Sequence, residues 1–103
     1  MAEVREHRSA TKEREALPRP VRLAVEDVVI PTIAEDPYGK ALTREKISFP
    51  RHPLVLIWGM RYLRTTYRMA WEVFQSKDVL LLMYGAHEGF YERLRRRLGP
   101  GKL

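Results

Sequence analysis

Five side chains in the second half of the chain have the chemistry to act on a phosphate group. Three are arginines within eight residues, Arg61, Arg64 and Arg68, and two are proton-transfer groups four residues apart, His87 and Tyr91. Arginine does not titrate in proteins, so these guanidinium groups bind phosphate or carboxylate but move no protons. Histidine titrates near neutral pH, and tyrosine, with an ordinary pKa of about 10, becomes a better base where arginines favour its phenolate.

These side chains meet only if the segments around them form a sheet. From residue 60 onward the sequence alternates with a period of two and is rich in β-branched and aromatic types, which predicts strands joined tightly at Thr65-Thr66. Alternation puts Arg68 on the face opposite Trp71. Arg61 and Arg64 have opposite parity, so at most one of them shares the face of Arg68.

The rest of the second half predicts a further strand and a final helix. Residues 40–51 read as a loop with strand character only at Ile47–Phe49, and PLVLIWGM is a buried strand or a loop. VLLLMYG, apolar on both faces, predicts a central strand covered on one side by helices, after a turn at Ser76-Lys77-Asp78. FYERLRRRL predicts a helix that stops at Gly99-Pro100-Gly101, with His87 and Tyr91 at its start.

The first half predicts an edge strand around Val4 and a helical hairpin. Ser9 or Thr11 caps a helix from about Lys12, which LPRP ends because proline cannot donate a backbone hydrogen bond. A second helix follows in VRLAVEDVVIPTIAED, and Pro31 kinks it or ends its regular part. Turn residues close it at Asp36-Pro37-Tyr38-Gly39. Its predicted apolar stripe is Val21, Val25, Val28 and Thr32, with Ala24, Val29 and Ile33 beside it.

The resulting order, β-α-α-β-β-β-α, predicts one α+β domain over residues 1–103, with helices on one face of an antiparallel sheet. There is no cysteine, which excludes disulfides and thiolate-held metals. The net charge is +6, and all of the excess lies in residues 51–103, where ten Lys and Arg face four Asp and Glu. Such a field attracts phosphate chains or acidic proteins.

Several motifs, taken in order, resemble the RelE/ParE superfamily of bacterial and archaeal type II toxins over nearly the whole chain. The resemblance implies a small toxin held silent by an antitoxin encoded beside it. RelE-like members cleave mRNA in the ribosomal A site, whereas ParE-like members poison DNA gyrase and need no nuclease residues. The motifs are Leu17-Pro18 between the helices, DPYGKAL (Asp36–Leu42), RYLRTTYRMAWEV with Tyr67-Arg68 opening the third strand, and VLLLMYGAH followed by FYERL.

A RelE-like activity would be metal-independent RNA cleavage, in which the ribose 2′-OH attacks the adjacent phosphate. In that interpretation Arg68 and one of Arg61 and Arg64 hold the phosphate, and His87 or Tyr91 transfers protons. Alignment with the family ranks Arg64 above Arg61. We favour a ribosome-dependent mRNA endoribonuclease, an enzyme without a cofactor.

Two alternatives stay open, a gyrase poison and a degenerate member that only binds its antitoxin or operator DNA. They stay open because Met60 and Tyr62 stand where RelE-like nucleases usually carry lysines. The expected partners are a small acidic antitoxin encoded adjacently, and the ribosome with its mRNA, or gyrase for a ParE-like protein. A charged N-terminus and the absence of long apolar runs predict a cytoplasmic protein with no membrane partner.

Four further basic residues are candidates for RNA binding outside the reactive centre. They would contact the phosphate backbone from the loop before the sheet and from the last helix. The three histidines are too scattered to suggest a metal site. The four candidates are Lys46, Arg51, Arg93 and Arg96.

Overall fold

The computed structural model describes residues 3–99, in which a five-stranded sheet carries helices on both faces. The strands are β1 (Val4–Glu6), β2 (Arg44–Phe49), β3 (His52–Tyr62), β4 (Thr65–Val73) and β5 (Val79–Ala86). The helices are α1 (Arg8–Glu15), α2 (Arg19–Ala24), α3 (Ile30–Glu35) and α4 (Phe90–Leu98), with π-helical residues Val25–Val29 between α2 and α3. The α+β class is confirmed. Helix α4 ends at Gly99 as predicted, and Pro100 and Gly101 of the predicted stop lie outside the described residues.

The sheet has the order β1-β5-β4-β3-β2 and is mixed. Strand β1 pairs parallel with β5, while the other three pairings are antiparallel, so the prediction of a wholly antiparallel sheet is wrong. Strand β2 begins at Arg44, three residues before the predicted strand character. As an edge strand it is largely solvent-exposed, and it therefore lacks the apolar alternation that would reveal it in the sequence.

Two separate cores lie on the two faces of the sheet. The larger one packs the helices of the first half against Leu56, Met69 and Trp71. The smaller one packs Phe90 and Leu94 of α4 against the opposite face. The helices therefore do not share one face, and β5 is apolar on both sides because helices cover both. The sheet residues of the smaller core are Val55, Ile57, Ala70, Leu82 and Met83.

The helical run over residues 19–35 buries a different stripe from the predicted one. Every fourth residue is buried (Val21, Val25, Val29 and Ile33), whereas Val28 is 56% exposed. Pro31 has no N–H to donate and its ring clashes with the carbonyl four residues earlier. A π-helical turn ends just before this residue, and the wider turn shifts the buried face by one residue.

Two local boundaries also differ from the predictions. Helix α1 begins at Arg8 instead of Lys12, because the His7 side chain caps it by accepting the Ser9 N–H (3.1 Å). The β3–β4 turn lies at Leu63 and Arg64, two residues before the predicted Thr65-Thr66, since Tyr62 already pairs with Thr65. In residues 3–99 none of the helices combines the length and apolar character needed to cross a membrane.

Candidate functional site

Arg68 lies on β4 between two glycines of the neighbouring strands. It pairs with Gly59 on β3 and with Gly85 on β5. Glycine within a strand often marks a place where a ligand or another backbone approaches closely. With no Cβ on either neighbouring residue, the two strands leave room for the Arg68 side chain at the sheet surface.

Three side chains from three other elements surround Arg68. Its Nε donates to His87 Nδ1 (2.9 Å), and its guanidinium carbon lies 5.6 Å from the centre of the Tyr91 ring. The Tyr91 hydroxyl donates to Glu45 Oε1 (2.7 Å), and Arg68 Nη1 lies 4.0 Å from the same oxygen. We call Arg68, Glu45, His87 and Tyr91 the Arg68 cluster. It brings together a cation, a carboxylate, an imidazole and a phenol.

Glu45 is the member of the Arg68 cluster that sequence reasoning missed. It pairs with Ile57, which is two residues from Gly59 on β3, so Glu45 and Arg68 lie on the same sheet face. In the sequence, Glu45 stands in the polar segment TREK, which resembles a loop. Extending the period-two alternation backward from Ile47 would have found it.

The β3–β4 turn decides which of the two remaining arginines joins Arg68. Arg61 pairs with Thr66, two residues from Arg68 on the same face, and both arginines line a cavity of about 330 Å³ with Glu45. Arg64 lies in the turn itself and is exposed. One of the two therefore shares the face of Arg68, as alternation predicts, but it is Arg61, the reverse of the predicted ranking.

Tyr91 is held in its protonated form. Burial raises the pKa of its phenol, and the hydrogen bond to Glu45 raises the pKa further, while the charge of Arg68 only partly opposes both effects. The expectation that clustered arginines favour the phenolate is therefore wrong, since the phenol donates a hydrogen bond to a carboxylate here. Tyr91 in this setting acts as a hydrogen-bond donor.

His87 is oriented by Arg68. Because Arg68 Nε–H donates to Nδ1, that nitrogen holds a lone pair and the ring proton lies on Nε2. The His87 backbone N–H donates to the carbonyl of Thr66 (2.7 Å), which ties the turn after β5 to the start of β4. The imidazole is thus fixed at the edge of the site, and it is exposed.

The four candidate RNA-binding residues lie in different places. Lys46 pairs with Leu56 of the larger core, so it lies on the face opposite Arg68. Arg51, with φ of 67°, lies in the β2–β3 turn, at the other end of β3 from Arg61. Arg96 is exposed on α4, beside Arg93.

Arg93 contacts the segment that carries His87. Its guanidinium donates to the carbonyls of Glu88 (2.8 Å) and Ala86 (3.4 Å). It lies over Gly85, where a Cβ would come within 2.8 Å of Arg93 Nη2. Arg93 therefore supports the turn that follows β5. Among residues 3–99, no three His, Asp or Glu side chains come together as a set that could hold a metal ion.

Comparison with solved structures shows which known fold this architecture resembles. The chain superposes on the crystal structure of the isolated Escherichia coli RelE toxin with a TM-score of 0.58 and 19% sequence identity, over 93% of this chain and 98% of that one. No protein-family model and no curated protein sequence matches the chain. The protein therefore has a RelE-like fold, and at this identity the likeness extends to the fold alone.

Proposed function

We propose that this protein is a RelE-type toxin that cleaves mRNA on the ribosome. The observation that carries the proposal is the Arg68 cluster, in which Arg68 lies with Glu45, His87 and Tyr91 on a RelE-like fold. Attack of a ribose 2′-OH on the adjacent phosphate needs a proton acceptor, a proton donor and positive charge around the transition state. The cluster and the nearby Arg61 contain all three.

In the proposed reaction, Arg68 and Arg61 bind the scissile phosphate in the cavity that they share with Glu45. The Glu45 carboxylate takes the proton of the 2′-OH, and the 2′-oxygen forms a bond to phosphorus. The bond from phosphorus to the 5′-oxygen breaks, leaving a 2′,3′-cyclic phosphate. Tyr91 keeps Glu45 in place by donating its hydroxyl hydrogen bond to Glu45 Oε1.

His87 supplies the proton for the leaving 5′-oxygen. In the free protein its Nδ1 accepts from Arg68, so the ring cannot take a second proton there. When Arg68 turns to the phosphate, Nδ1 is released and takes a proton from solvent, while Nε2–H gives its proton to the leaving 5′-oxygen. Phosphate binding thereby frees His87 to donate only when a substrate is present.

The partners follow from charge and exposed apolar surface. A small acidic antitoxin encoded beside the gene would neutralise the excess positive charge of residues 51–103. The helical run over residues 19–35 exposes Leu23 and Val28, which an amphipathic segment of such an antitoxin would cover. The ribosome would present the mRNA as a single strand, with the 2′-OH that the reaction needs.

Induced expression in cells tests the proposal. Wild type, Arg68→Ala and the turn variant Arg64→Ala are compared for growth and for new 5′ ends on translated mRNA. We expect wild type and Arg64→Ala to arrest growth and cut mRNA, and Arg68→Ala to reduce cutting by about 10²- to 10³-fold, since a preorganised transition-state contact is lost. Growth arrest without new 5′ ends would contradict the nuclease and lead to a supercoiling assay with gyrase. No growth arrest at all would indicate a protein that has the RelE-like fold but neither toxic activity.

A further inference from the structure

A second depression lies beside the Arg68 cluster, between β2 and α4. It has a volume of about 450 Å³, within the range of about 300 to 1,000 Å³ typical of small-molecule sites. Its strand side is mainly apolar, formed by Ile47, Phe49 and Pro50, and its helix side is formed by Tyr91 and Arg95. We call it the β2–α4 groove.

The β2–α4 groove adjoins the proposed phosphate site. Tyr91 lines the groove while its hydroxyl binds Glu45, and Glu45 lines the cavity that contains Arg61 and Arg68. The Tyr91 to Glu45 hydrogen bond is thus the boundary between the two depressions. A chain whose phosphate lies at Arg68 would place its next nucleoside in the groove.

The groove combines the two features that single-stranded RNA requires. Its aromatic residues, Phe49 and Tyr91, are only partly buried and offer rings on which a base can stack. Arg95 is exposed at the groove wall, unlike Arg97 two residues further along α4, whose guanidinium is held by Glu13 (2.7 Å). An exposed guanidinium at that position suits a phosphate or the face of a base.

From this combination we propose that the β2–α4 groove is a nucleoside subsite, which stacks the base next to the scissile phosphate of single-stranded RNA on Phe49 and Tyr91. The inference rests on the proposed function, because it takes the phosphate to lie at Arg68. In this proposal the groove determines which nucleotide is accepted next to the scissile phosphate. Arg95 would hold the phosphate beyond that nucleotide.

Binding of a short RNA tests the subsite without the ribosome. The probe is a pentaribonucleotide with one 2-aminopurine and with 2′-O-methyl groups throughout, so that it cannot be cleaved. Stacking on an aromatic ring quenches 2-aminopurine fluorescence. We expect wild type to quench it, Phe49→Leu to weaken binding by about tenfold and lose most of the quenching, and Arg95→Gln to weaken binding by several-fold. Arg8→Gln, which changes an exposed arginine on helix α1 outside the groove, is the matched control and should bind the RNA within about twofold of wild type.

Two results would overturn the subsite. One is no quenching by wild type at any soluble RNA concentration, and the other is binding by Phe49→Leu and Arg95→Gln equal to that of Arg8→Gln. Because Arg95 is exposed, its variant keeps the test valid if Phe49→Leu does not fold. Cutting of translated mRNA by wild type together with either result would reject the subsite and leave the proposed function intact. Quenching without any cutting in cells would reject the nuclease and keep an RNA site in the groove.

Discussion

Arg14 belongs to helix α1, and Arg68 lies on the opposite face of the sheet. Each lies beside a glutamate and a tyrosine, but only Arg14 has its charge neutralised at short range. Arg14 binds Glu6 (2.9 Å) and Glu26 (2.6 Å), and the Tyr84 hydroxyl donates to Glu6 (2.8 Å). Arg68 lies 4.0 Å from Glu45 and otherwise binds an imidazole. The same residue types therefore form a saturated structural network in one place and, in the other, a cluster whose arginine has no carboxylate of residues 3–99 within hydrogen-bonding distance.

The two tyrosines differ in the solvent access of the glutamates that accept their hydrogen bonds. Burial, followed by the hydrogen bond to Glu6, raises the pKa of Tyr84 far above its ordinary range. Burial alone would raise the pKa of Glu6 as well, but hydrogen bonds from Arg14, Thr11 and Tyr84 outweigh it and lower that pKa. Tyr91 is also shifted upward, yet Glu45 has a half-exposed side chain that a ligand can reach. Solvent access separates the reactive cluster from the structural one.

Replacing Glu45 should have a large effect on activity with little effect on stability. We expect Glu45→Gln to lower the rate of mRNA cutting by about 10²-fold, because the amide keeps the shape but cannot accept the 2′-OH proton. The free energy of unfolding should change by less than about 0.5 kcal/mol, since the residue is exposed on an edge strand. Cutting rates in a translation extract and urea unfolding provide the two measurements.

Lys46→Gln is the matched control for that variant, because it changes the next residue along β2 on the opposite face. It should cut at nearly the wild-type rate. Equal loss of cutting in both variants would mean that any change in β2 impairs cutting and that Glu45 is not the proton acceptor.

Breaking the network around Arg14 should lower stability and leave activity unchanged. Arg14→Met leaves Glu6 partly buried without its cation, and we expect a loss of about 2 to 3 kcal/mol in the free energy of unfolding, below the value for fully buried pairs because 22% of the Arg14 side chain is exposed. Cutting per folded molecule should stay at the wild-type level. Urea unfolding followed by tryptophan fluorescence measures the loss. A stability loss under 0.5 kcal/mol would show that the network is dispensable and would remove the contrast with the Arg68 cluster.

The pH dependence of stability should be the smallest effect. The lowered pKa of Glu6 stabilises the folded state fully above its unfolded pKa of about 4.5, and this contribution is lost as pH falls through the lower folded value. We expect the wild-type free energy of unfolding to fall more steeply from about pH 5 to pH 3 than that of Glu6→Gln. Tyr84→Phe, which removes one donor to Glu6, should fall between them. Parallel curves for the three proteins would show that Glu6 does not contribute to acid unfolding.

Much of the fold could be predicted because apolar residues recur with a clear period in most of the individual segments. Strand β4 places Met69 and Trp71 in the larger core and Ala70 in the smaller one, as alternation predicts. Helix α4 and the turn before β5 are also where the sequence indicates. Strand β2 and the buried stripe of residues 19–35 were misjudged, because an edge strand needs no apolar alternation and a π-helical turn changes the helix period.

The candidate site was predictable in its residue types but not in its membership. His87 and Tyr91 follow β5 and lie beside Arg68, as expected from the strand-to-helix turn. Alignment with the family ranks Arg64 above Arg61, but the position of the β3–β4 turn in the structure puts Arg61 on the face of Arg68. Glu45 was missed because its polar segment is typical of a loop.

By itself the sequence determined the types and order of most elements, the concentration of positive charge in residues 51–103, and the arginine, histidine and tyrosine side chains available for phosphate chemistry. Only the tertiary structure decided that Glu45 joins Arg68, that Arg61 shares its face, and that Tyr91 stays protonated. The physical reason is the range of the forces involved. Periodicity and charge are properties of neighbouring residues, whereas strand register and desolvation depend on segments that are distant in the chain.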